Sequence, residues 1–311
     1  MSAVVERADP ARLTKDKLVV YHGRCPDGFG AALSAWLALG DSADYLPADY
    51  ADAAPDVTGK DVYIVDFCYP RKVMEQLNVT AKSITLLDHH ATAKDNLNGF
   101  ECSCGRIHFD MSKSGARLAW EFFHPNKPVP PLIAFIEDRD LWRFDVPGTR
   151  EFLAYLDTQE PEFKTWAALL APEGEAFEEA LGIGTLLHGQ YMKFCRSAAE
   201  QAVPLTLAGE TGLMISGGEA FKSDAGAILA NQCGTFAAIW FIEPKGSIKV
   251  SLRSLEPFDV RKIAEKFGGG GHAQAASFRV PRNRGAELMA GYLPVKRPNM
   301  LARVWRALKG E

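Results

Sequence analysis

The chain lacks the features of several classes of protein. It has 35 Lys and Arg against 39 Asp and Glu, a net charge of −4, so it has no basic excess with which to hold duplex DNA by bulk electrostatics. None of its six cysteines forms a Cys-x-x-Cys pair, which argues against a structural zinc site. No apolar run reaches the ~18 residues of a membrane span, and the polar start has no signal-peptide core. We therefore expect a cytoplasmic protein with reduced thiols and no membrane partner.

What the sequence does contain is a series of short apolar runs in its first half. Three of them, at residues 17–23, 62–65 and 84–87, are predicted to be strands, and residues 105–110 (GRIHFD) form a fourth predicted strand. Near-continuous apolar runs are typical of a parallel sheet that is covered on both faces. After about residue 205, short strands mix with short helices. The length suits two domains, so we predict an α/β protein whose domain boundary lies near residues 190–205.

Polar residues stand where these predicted strands end. The first run ends at His22, with Asp27 soon after it, the second at Asp66, and the third at the triplet 88–90 (Asp-His-His). A single Asp after a strand is most often a turn or cap, but three such ends favour a shared site, because parallel strands present their carboxyl ends to one crevice. Two-metal phosphoryl hydrolases need such carboxylates and imidazoles, and oxygen and nitrogen donors favour manganese or magnesium. The candidate ligands are His22, Asp27, Asp66, Asp88, His89, His90 and Asp138.

A run of four glycines, 268–271, precedes His272 late in the chain. A flexible linker is the alternative interpretation of such a run. Here it lies between an amphipathic segment and an apolar stretch, which favours a structured loop. Glycine lets backbone N–H groups approach an anion closely, and His272 adds a donor. Arg253, at the end of a predicted strand, could add a bidentate contact to a phosphate.

These motifs resemble those of the DHH/DHHA1 phosphoesterase superfamily over nearly the whole chain. In the N-terminal part, VYIVDF (62–67), LLDHH (86–90) and FIEDRD (135–140) resemble the second, third and fourth motifs of the DHH catalytic domain. In the C-terminal part, VSLRS (250–254) and DVRKIAEKFGGGGHAQAASF (259–278) resemble DHHA1. The resemblance implies an α/β fold with a parallel-sheet DHH domain (1–195), a smaller α/β DHHA1 domain (196–311) and a cleft between them.

The implied function is metal-dependent hydrolysis of a small nucleotidic phosphoester. The resemblance implies manganese, with magnesium as the alternative, as one ion or two. The substrate would be a short single-stranded oligonucleotide, a bisphosphate nucleotide or a cyclic dinucleotide. Two alternatives stay open, namely a catalytically weakened nucleotide-binding protein of the same fold and an inorganic polyphosphate or pyrophosphate hydrolase. The sequence leaves the oligomeric state open, and a homodimer is one of the possible states.

The resemblance also implies roles for particular residues. The implied metal ligands are His22, Asp27, Asp66, His89 and Asp138, with Asp66 bridging two ions. The implied catalytic residues are Asp66, Asp88 and His90. The implied substrate-binding residues are Arg253, Gly269, Gly270, Gly271 and His272.

One departure from the family pattern lies in the first motif, HGRCPDGFG (22–30). The family's version usually reads His, three residues, Asp, any residue, Asp, whereas this chain has a single acid, Asp27. One alignment puts Phe29 at the place of the missing acid, and the other puts Cys25 there. The sequence leaves both alignments open.

Overall fold

A computed structural model describes residues 13–295 of the chain. The chain divides into two compact units between His188 and Gly189. The division falls inside a long helix, Glu175–Ala199, which also contains the predicted domain boundary at residues 195–196. Within the described stretch, no helix is both long enough and apolar enough to cross a membrane.

The N-terminal unit is built on a parallel sheet. Among the described residues, its five strands are β1 Lys17–His22, β2 Ala43–Ala48, β3 Asp61–Val65, β4 Ser83–Asp88 and β5 Gly105–Phe109. They lie side by side in the order β2-β1-β3-β4-β5, with every neighbouring pair parallel. All four segments predicted to be strands in this unit form strands, and the prediction of a parallel α/β fold is confirmed.

Helices cover both faces of this sheet. Their bounds are α1 Pro26–Leu39, α2 Arg71–Thr80, α3 Ala91–Asn96, α4 Gly115–Phe123, α5 Pro131–Asp140, α6 Thr149–Leu156, α7 Phe163–Ala168 and α8 Glu175–Ala199. Alternate residues of β1 enter two separate apolar cores, since Val19 packs with α1, α4 and α5 while Leu18 and Val20 pack with α2. Successive side chains of a strand point to opposite faces, so burial of both faces explains the continuous apolar runs.

The C-terminal unit has a mixed sheet. In the part of it that the structure describes, the strands are β6 Val203–Leu207, β7 Glu210–Ser216, β8 Phe236–Ile242, β9 Ile248–Ser254, β10 Gly270–Gly271, β11 Ala275–Val280 and β12 Tyr292–Leu293. Their order is β10-β11-β9-β8-β7-β6-β12, with parallel pairing between β7 and β8 and between β6 and β12. The helices are α9 Asp224–Cys233, α10 Arg261–Lys266 and α11 Gly285–Met289. This unit is the expected smaller α/β domain.

Candidate active site

The carboxyl ends of β1, β3 and β4 bring their polar side chains together. His22 is the last residue of β1, Asp66 directly follows β3, and Asp88 ends β4. His89 then places its Nε2 atom 3.1 Å from Asp66 Oδ1. Residues far apart in the chain thus form one cluster at one edge of the sheet, as the strand-end pattern predicts.

Asp66 lies at the centre of this cluster, with 1% of its surface exposed. Its Oδ1 atom lies 3.1 Å from His89 Nε2 and 4.0 Å from His90 Nδ1. Its Oδ2 atom lies 3.4 Å from Cys25 Sγ and 3.8 Å from His22 Nδ1. The two oxygens therefore face two different sets of donor atoms, as a carboxylate that bridges two ions must.

The cluster concentrates negative charge. Burial and the nearby charge of Asp66 raise the pKa of Asp27, and burial raises the pKa of Asp140. Burial opposes ionisation of Asp66 as well, but hydrogen bonds with His22 and His89 outweigh it and hold the pKa of Asp66 below its usual range. Burial also works against the charged form of His89, yet its bond to Asp66 and the surrounding carboxylates raise the pKa of its imidazole. A divalent cation is the ligand that such a group of carboxylates favours.

The start of α4 positions two of these carboxylates. Gly115 donates its N–H to Asp27 Oδ2 at 2.7 Å, and Ala116 donates its N–H to Asp27 Oδ1 at 2.9 Å. Asp27 Oδ2 in turn lies 3.5 Å from His89 Nε2. A Cβ atom on Gly115 would lie 2.3 Å from the Cβ of Asp66, closer than two carbon atoms can pack. Glycine at this position therefore lets the helix start against both carboxylates.

Asp138, expected among the ligands, is engaged elsewhere. Its carboxylate accepts hydrogen bonds from Asp145 N at 2.8 Å, Val146 N at 3.1 Å and Thr149 Oγ1 at 2.6 Å. These bonds fasten the loop after α5, and they lower the pKa of Asp138 despite its burial. Asp140 instead reaches the cluster, with its Oδ2 atom 3.6 Å from His89 Nε2. Both residues lie on helix α5 and not at a strand end, and the same FIEDRD motif contains them both.

The first motif contributes Cys25 to the cluster. Its Sγ atom lies 3.1 Å from His22 Nδ1 and 3.4 Å from Asp66 Oδ2. Phe29 packs in the apolar core instead, with its ring 4.9 Å from that of Phe163 and only 6% of its surface exposed. Of the two alignments of this motif, the structure agrees with the one that puts Cys25 at the place of the missing acid.

Asp88 organises the two histidines that follow it. Its Oδ1 atom accepts hydrogen bonds from the backbone N–H of His89 at 2.7 Å, from that of His90 at 3.3 Å and from His90 Nδ1 at 2.7 Å. Its Oδ2 atom is buried and has no hydrogen-bond partner among the described residues. Asp88 thus holds the backbone of both histidines and the imidazole of His90, and it lies outside the three groups of possible metal ligands.

Three groups of side chains have donor atoms close enough for one ion. They are His22, Cys25 and Asp66; Asp66, His89 and His90; and Asp27, His89 and Asp140, with the donor atoms of each group within 4.8 Å of one another. Carboxylate and imidazole donors suit Mn²⁺ and Mg²⁺. The residues present therefore fit divalent cations, with Asp66 shared between two groups.

The glycine run of the C-terminal unit forms ordered structure. Gly270 and Gly271 make up β10, which pairs antiparallel with β11. A Cβ on Gly269 would lie 2.1 Å from Ser277 O, and Gly271 combines a φ of +142° with a similar close approach to Ala275 O at 2.5 Å. Both positions need glycine because the backbone of β11 lies against them. The linker alternative does not describe this segment.

A cationic pocket of about 180 Å³ lies beside this run. Of the expected substrate-binding residues, Arg253, Gly270 and Gly271 line it, whereas Gly269 and His272 lie outside its lining. Lys249 and Lys222 also line it, and both form ion pairs with Glu219. Sequence reasoning missed the two lysines. Lys249, Ser251 and Arg253 alternate along β9, so their shared face could have been read from the pattern.

Comparisons with known proteins agree with this architecture. The DHHA1 domain family matches residues 219–309. The uncharacterized protein R106 of Acanthamoeba polyphaga mimivirus is 30% identical over 309 residues, which cover 89% of this chain and 71% of R106. Oligoribonuclease NrnB of Bacillus subtilis (strain 168) is 27% identical over 282 residues, covering 80% and 69% of the two chains. RecJ from Thermus thermophilus, solved in complex with Mn²⁺, superposes with a TM-score of 0.50 at 14% identity, over 94% of this chain and 56% of RecJ.

The fold, the carboxylate–imidazole cluster and the DHHA1 match define an enzyme that hydrolyses phosphoric esters. Within that class, the chain belongs to the DHH/DHHA1 phosphoesterase superfamily.

Proposed function

We propose that the protein is a divalent-metal-dependent phosphodiesterase that hydrolyses short single-stranded oligonucleotides or a related small nucleotide ester. The observation that carries this proposal is the environment of Asp66. One carboxylate oxygen faces His89 and His90, and the other faces His22 and Cys25. A buried carboxylate shared in this way is the part that a two-metal phosphoryl hydrolase requires.

The ligands would fall into two positions. Cys25, His22 and Asp66 would form one position, and Asp27, His89 and Asp140 would form the other. Asp66 would link the two positions, because its Oδ1 atom lies 3.1 Å from His89 Nε2. Mn²⁺ is the first candidate ion and Mg²⁺ the second, because these donors are mainly oxygen and nitrogen. Bound divalent cations supply positive charge that activates water and stabilises the charge of a phosphoryl transition state.

His90 is suited to contact the substrate. With 34% of its side chain exposed, it is the most exposed of the three clustered imidazoles. Asp88 accepts a hydrogen bond from Nδ1, which leaves Nε2 for a phosphate oxygen. The same bond raises the pKa of His90, so its ring holds a proton more readily at neutral pH. His90 would thus donate to the phosphate or to the leaving oxygen.

Two features favour a nucleotidic substrate. The ring of Tyr50, which is 55% exposed, lies 5.6 Å from the ring of His22 and offers a face on which a base can stack. The pocket beside the glycine run presents Arg253, Lys222 and Lys249 to an anion. Its size and charge suit a phosphate group. The relative NrnB, named as an oligoribonuclease, supports the same class of substrate.

The sequence left two alternative functions open, and a single activity assay distinguishes them from the proposed function. A catalytically weakened binding protein is less favoured, because Cys25 occupies the place of the missing acid and the group of Asp27, His89 and Asp140 has all its donors. A polyphosphate or pyrophosphate hydrolase would share the cationic pocket. The exposed ring of Tyr50 favours a substrate with a base instead.

The test compares the purified chain with its Asp66→Asn variant. Each is assayed with Mn²⁺ or Mg²⁺ against a dinucleotide, a bisphosphate nucleotide and polyphosphate. We expect the wild type to cleave the dinucleotide or the bisphosphate nucleotide and the variant to lose all metal-dependent activity. Asn tolerates the left-handed backbone that Asp66 adopts, with a φ of +53°, so circular dichroism should show a folded variant. Full activity of that folded variant would refute a bridging role for Asp66, and hydrolysis of polyphosphate alone would refute the nucleotidic substrate.

A further inference from the structure

Cys25 occupies a position from which sulfur can bind a metal ion. It is the N-cap residue of α1, where its Sγ atom accepts a hydrogen bond from Gly28 N at 3.3 Å. The same sulfur lies 3.1 Å from His22 Nδ1 and 3.4 Å from Asp66 Oδ2. One sulfur, one nitrogen and one oxygen donor thus surround a single point at the carboxyl end of β1.

The neighbouring ligand group differs in kind. Asp27, His89 and Asp140 offer oxygen and nitrogen donors only. Thiolates select thiophilic ions such as Zn²⁺, Co²⁺ and Cd²⁺, whereas carboxylates and imidazoles also suit Mn²⁺ and Mg²⁺. Two adjacent positions in one cluster therefore differ in the ions that they favour.

We propose that Cys25 is a thiolate ligand, which makes the position formed with His22 and Asp66 selective for thiophilic divalent cations. The neighbouring position of Asp27, His89 and Asp140 retains Mn²⁺ or Mg²⁺. The inference rests on the proposed metal-dependent function and specifies the ion at one of its positions. Binding forms the bond between sulfur and the ion, breaks the S–H bond and releases the thiol proton to solvent.

Two substitutions separate ligation from helix capping. Ser and Asp are both good N-cap residues, so Cys25→Ser and Cys25→Asp keep the hydrogen bond to Gly28 while they remove the sulfur. Asp additionally restores a carboxylate at the place where the family has one. If Cys25 only caps α1, Cys25→Ser should bind metals as the wild type does.

The experiment titrates metal-free protein with Co²⁺ and with Cd²⁺ and follows the ultraviolet sulfur-to-metal charge-transfer band. Cys102 and Cys104 both place their sulfurs near the side-chain oxygen of Asn78 and could give a similar band. The titrations therefore use a Cys102→Ser/Cys104→Ser background. Cys233→Ser in that background is the matched control, because it removes a half-buried thiol from the C-terminal unit.

We expect one equivalent of charge-transfer band in the background protein and in the Cys233→Ser control. The band should disappear in both Cys25 variants. Competition between Zn²⁺ and Mn²⁺ measures the selectivity of Cys25→Asp. Its affinity for Zn²⁺ relative to Mn²⁺ should fall by at least about 10- to 100-fold, because loss of a residue that only supports a ligand already lowers metal affinity by that factor.

Each other result has a defined meaning. A band that persists in Cys25→Ser would overturn the assignment of the sulfur ligand. Calorimetric binding of Mn²⁺ by a background protein that gives no band would overturn the role of Cys25 and leave the proposed function standing. If the protein binds none of these ions, both the assignment of Cys25 and the proposed metal-dependent function are overturned.

Discussion

Asp66 combines a strained backbone with the central position in the ligand cluster. Its φ of +53° lies in the left-handed region, which costs free energy for a residue with a side chain. Its backbone N–H is bonded to Leu87 O at 2.9 Å, and the start of α4 at Gly115 lies against its side chain. The surrounding structure therefore fixes a conformation that aims the carboxylate at two sets of donors.

Asp138 and Asp140 offer a matched test of which aspartate of α5 binds metal. We expect Asp140→Asn to weaken Mn²⁺ binding with little change in thermal stability, because its carboxylate lies 3.6 Å from His89 in the cluster. Asp138→Asn should lower the free energy of unfolding by about 1–3 kcal/mol, the cost of leaving a buried donor without its acceptor, and should spare Mn²⁺ affinity. Calorimetry with Mn²⁺ and thermal melts of both variants measure the two effects.

The opposite result for the two variants would identify Asp138, and not Asp140, as the metal ligand. Loss of Mn²⁺ binding in Asp138→Asn at unchanged melting temperature would contradict the assignment of its carboxylate to the loop after α5. The two variants carry the same chemical change on the same helix, so each serves as the control for the other.

The sequence predicted most of the cluster but could not rank neighbours within a motif. Strand ends supplied His22, Asp66 and His89, because parallel strands share one edge. The choice between Asp138 and Asp140 depends on which face of α5 meets the cluster. Residues two positions apart on a helix point in directions that differ by roughly half a turn. The choice between Cys25 and Phe29 depends on the same kind of detail, the direction in which the first turn of α1 points.

At the level of elements, the sequence predicted β1, β3, β4 and the edge strand β5 but missed the opposite edge strand, β2. Its sequence, ADYLPA, lacks a continuous apolar run and contains Pro47, which removes a backbone donor. Among the strands that the structure describes, β2 pairs only with β1, and proline is tolerated on such an edge. Its strand character comes from tertiary pairing with β1, which local sequence does not encode.

His124 ties the end of α4 to α1. It caps the C-terminus of α4, and its Nε2–H donates to the backbone carbonyl of Ser34 at 2.9 Å. Its side chain is largely buried and lies against the ring of Trp120. Burial lowers the pKa of His124 below its usual value.

This burial predicts a loss of stability in mild acid. His124 has a lower pKa in the folded chain than in the unfolded chain, so its contribution to stability is present above the unfolded value of about 6.5 and is lost as pH falls through the folded value. Between about pH 7.5 and 5, we expect the melting temperature of the wild type to fall more than that of His124→Gln. Gln can still donate to Ser34 but does not titrate. An equal fall in the melting temperature of the two proteins across this pH range would contradict the titration of His124 as its cause.

At the scale of the whole molecule, net charge and local charge differ in sign. The chain carries −4 overall, yet Arg253, Lys222 and Lys249 line one small pocket. Composition therefore argues only against extended contacts with nucleic acid, and it says nothing about a pocket that holds a single phosphate.

Arg253→Ala tests whether this pocket binds substrate. A charged hydrogen bond contributes about 1.5–3 kcal/mol, or roughly 10- to 100-fold in binding, so KM for a dinucleotide or bisphosphate nucleotide should rise by that factor. Mn²⁺ affinity and hydrolysis of a small activated phosphoester should change little. Steady-state kinetics on both substrates and calorimetry with Mn²⁺ provide the readouts.

Lys245→Ala is the matched control, since it removes a positive charge from the exposed turn between β8 and β9 of the same sheet. It should leave KM unchanged. If Arg253→Ala lowers activity equally on both substrates, the arginine has a structural role, consistent with its hydrogen bonds to Leu252 O and Ser223 Oγ.

The clustered side chains all lie between His22 and Asp140, and every strand of the C-terminal sheet comes later in the chain. A ribosome therefore completes the ligand set before it has made any of that second sheet. Domains generally fold as units during synthesis, N-terminal unit first. This order gives the nascent chain the means to bind a divalent ion before the cationic pocket exists, so the ions present during translation have the first opportunity to occupy the cluster.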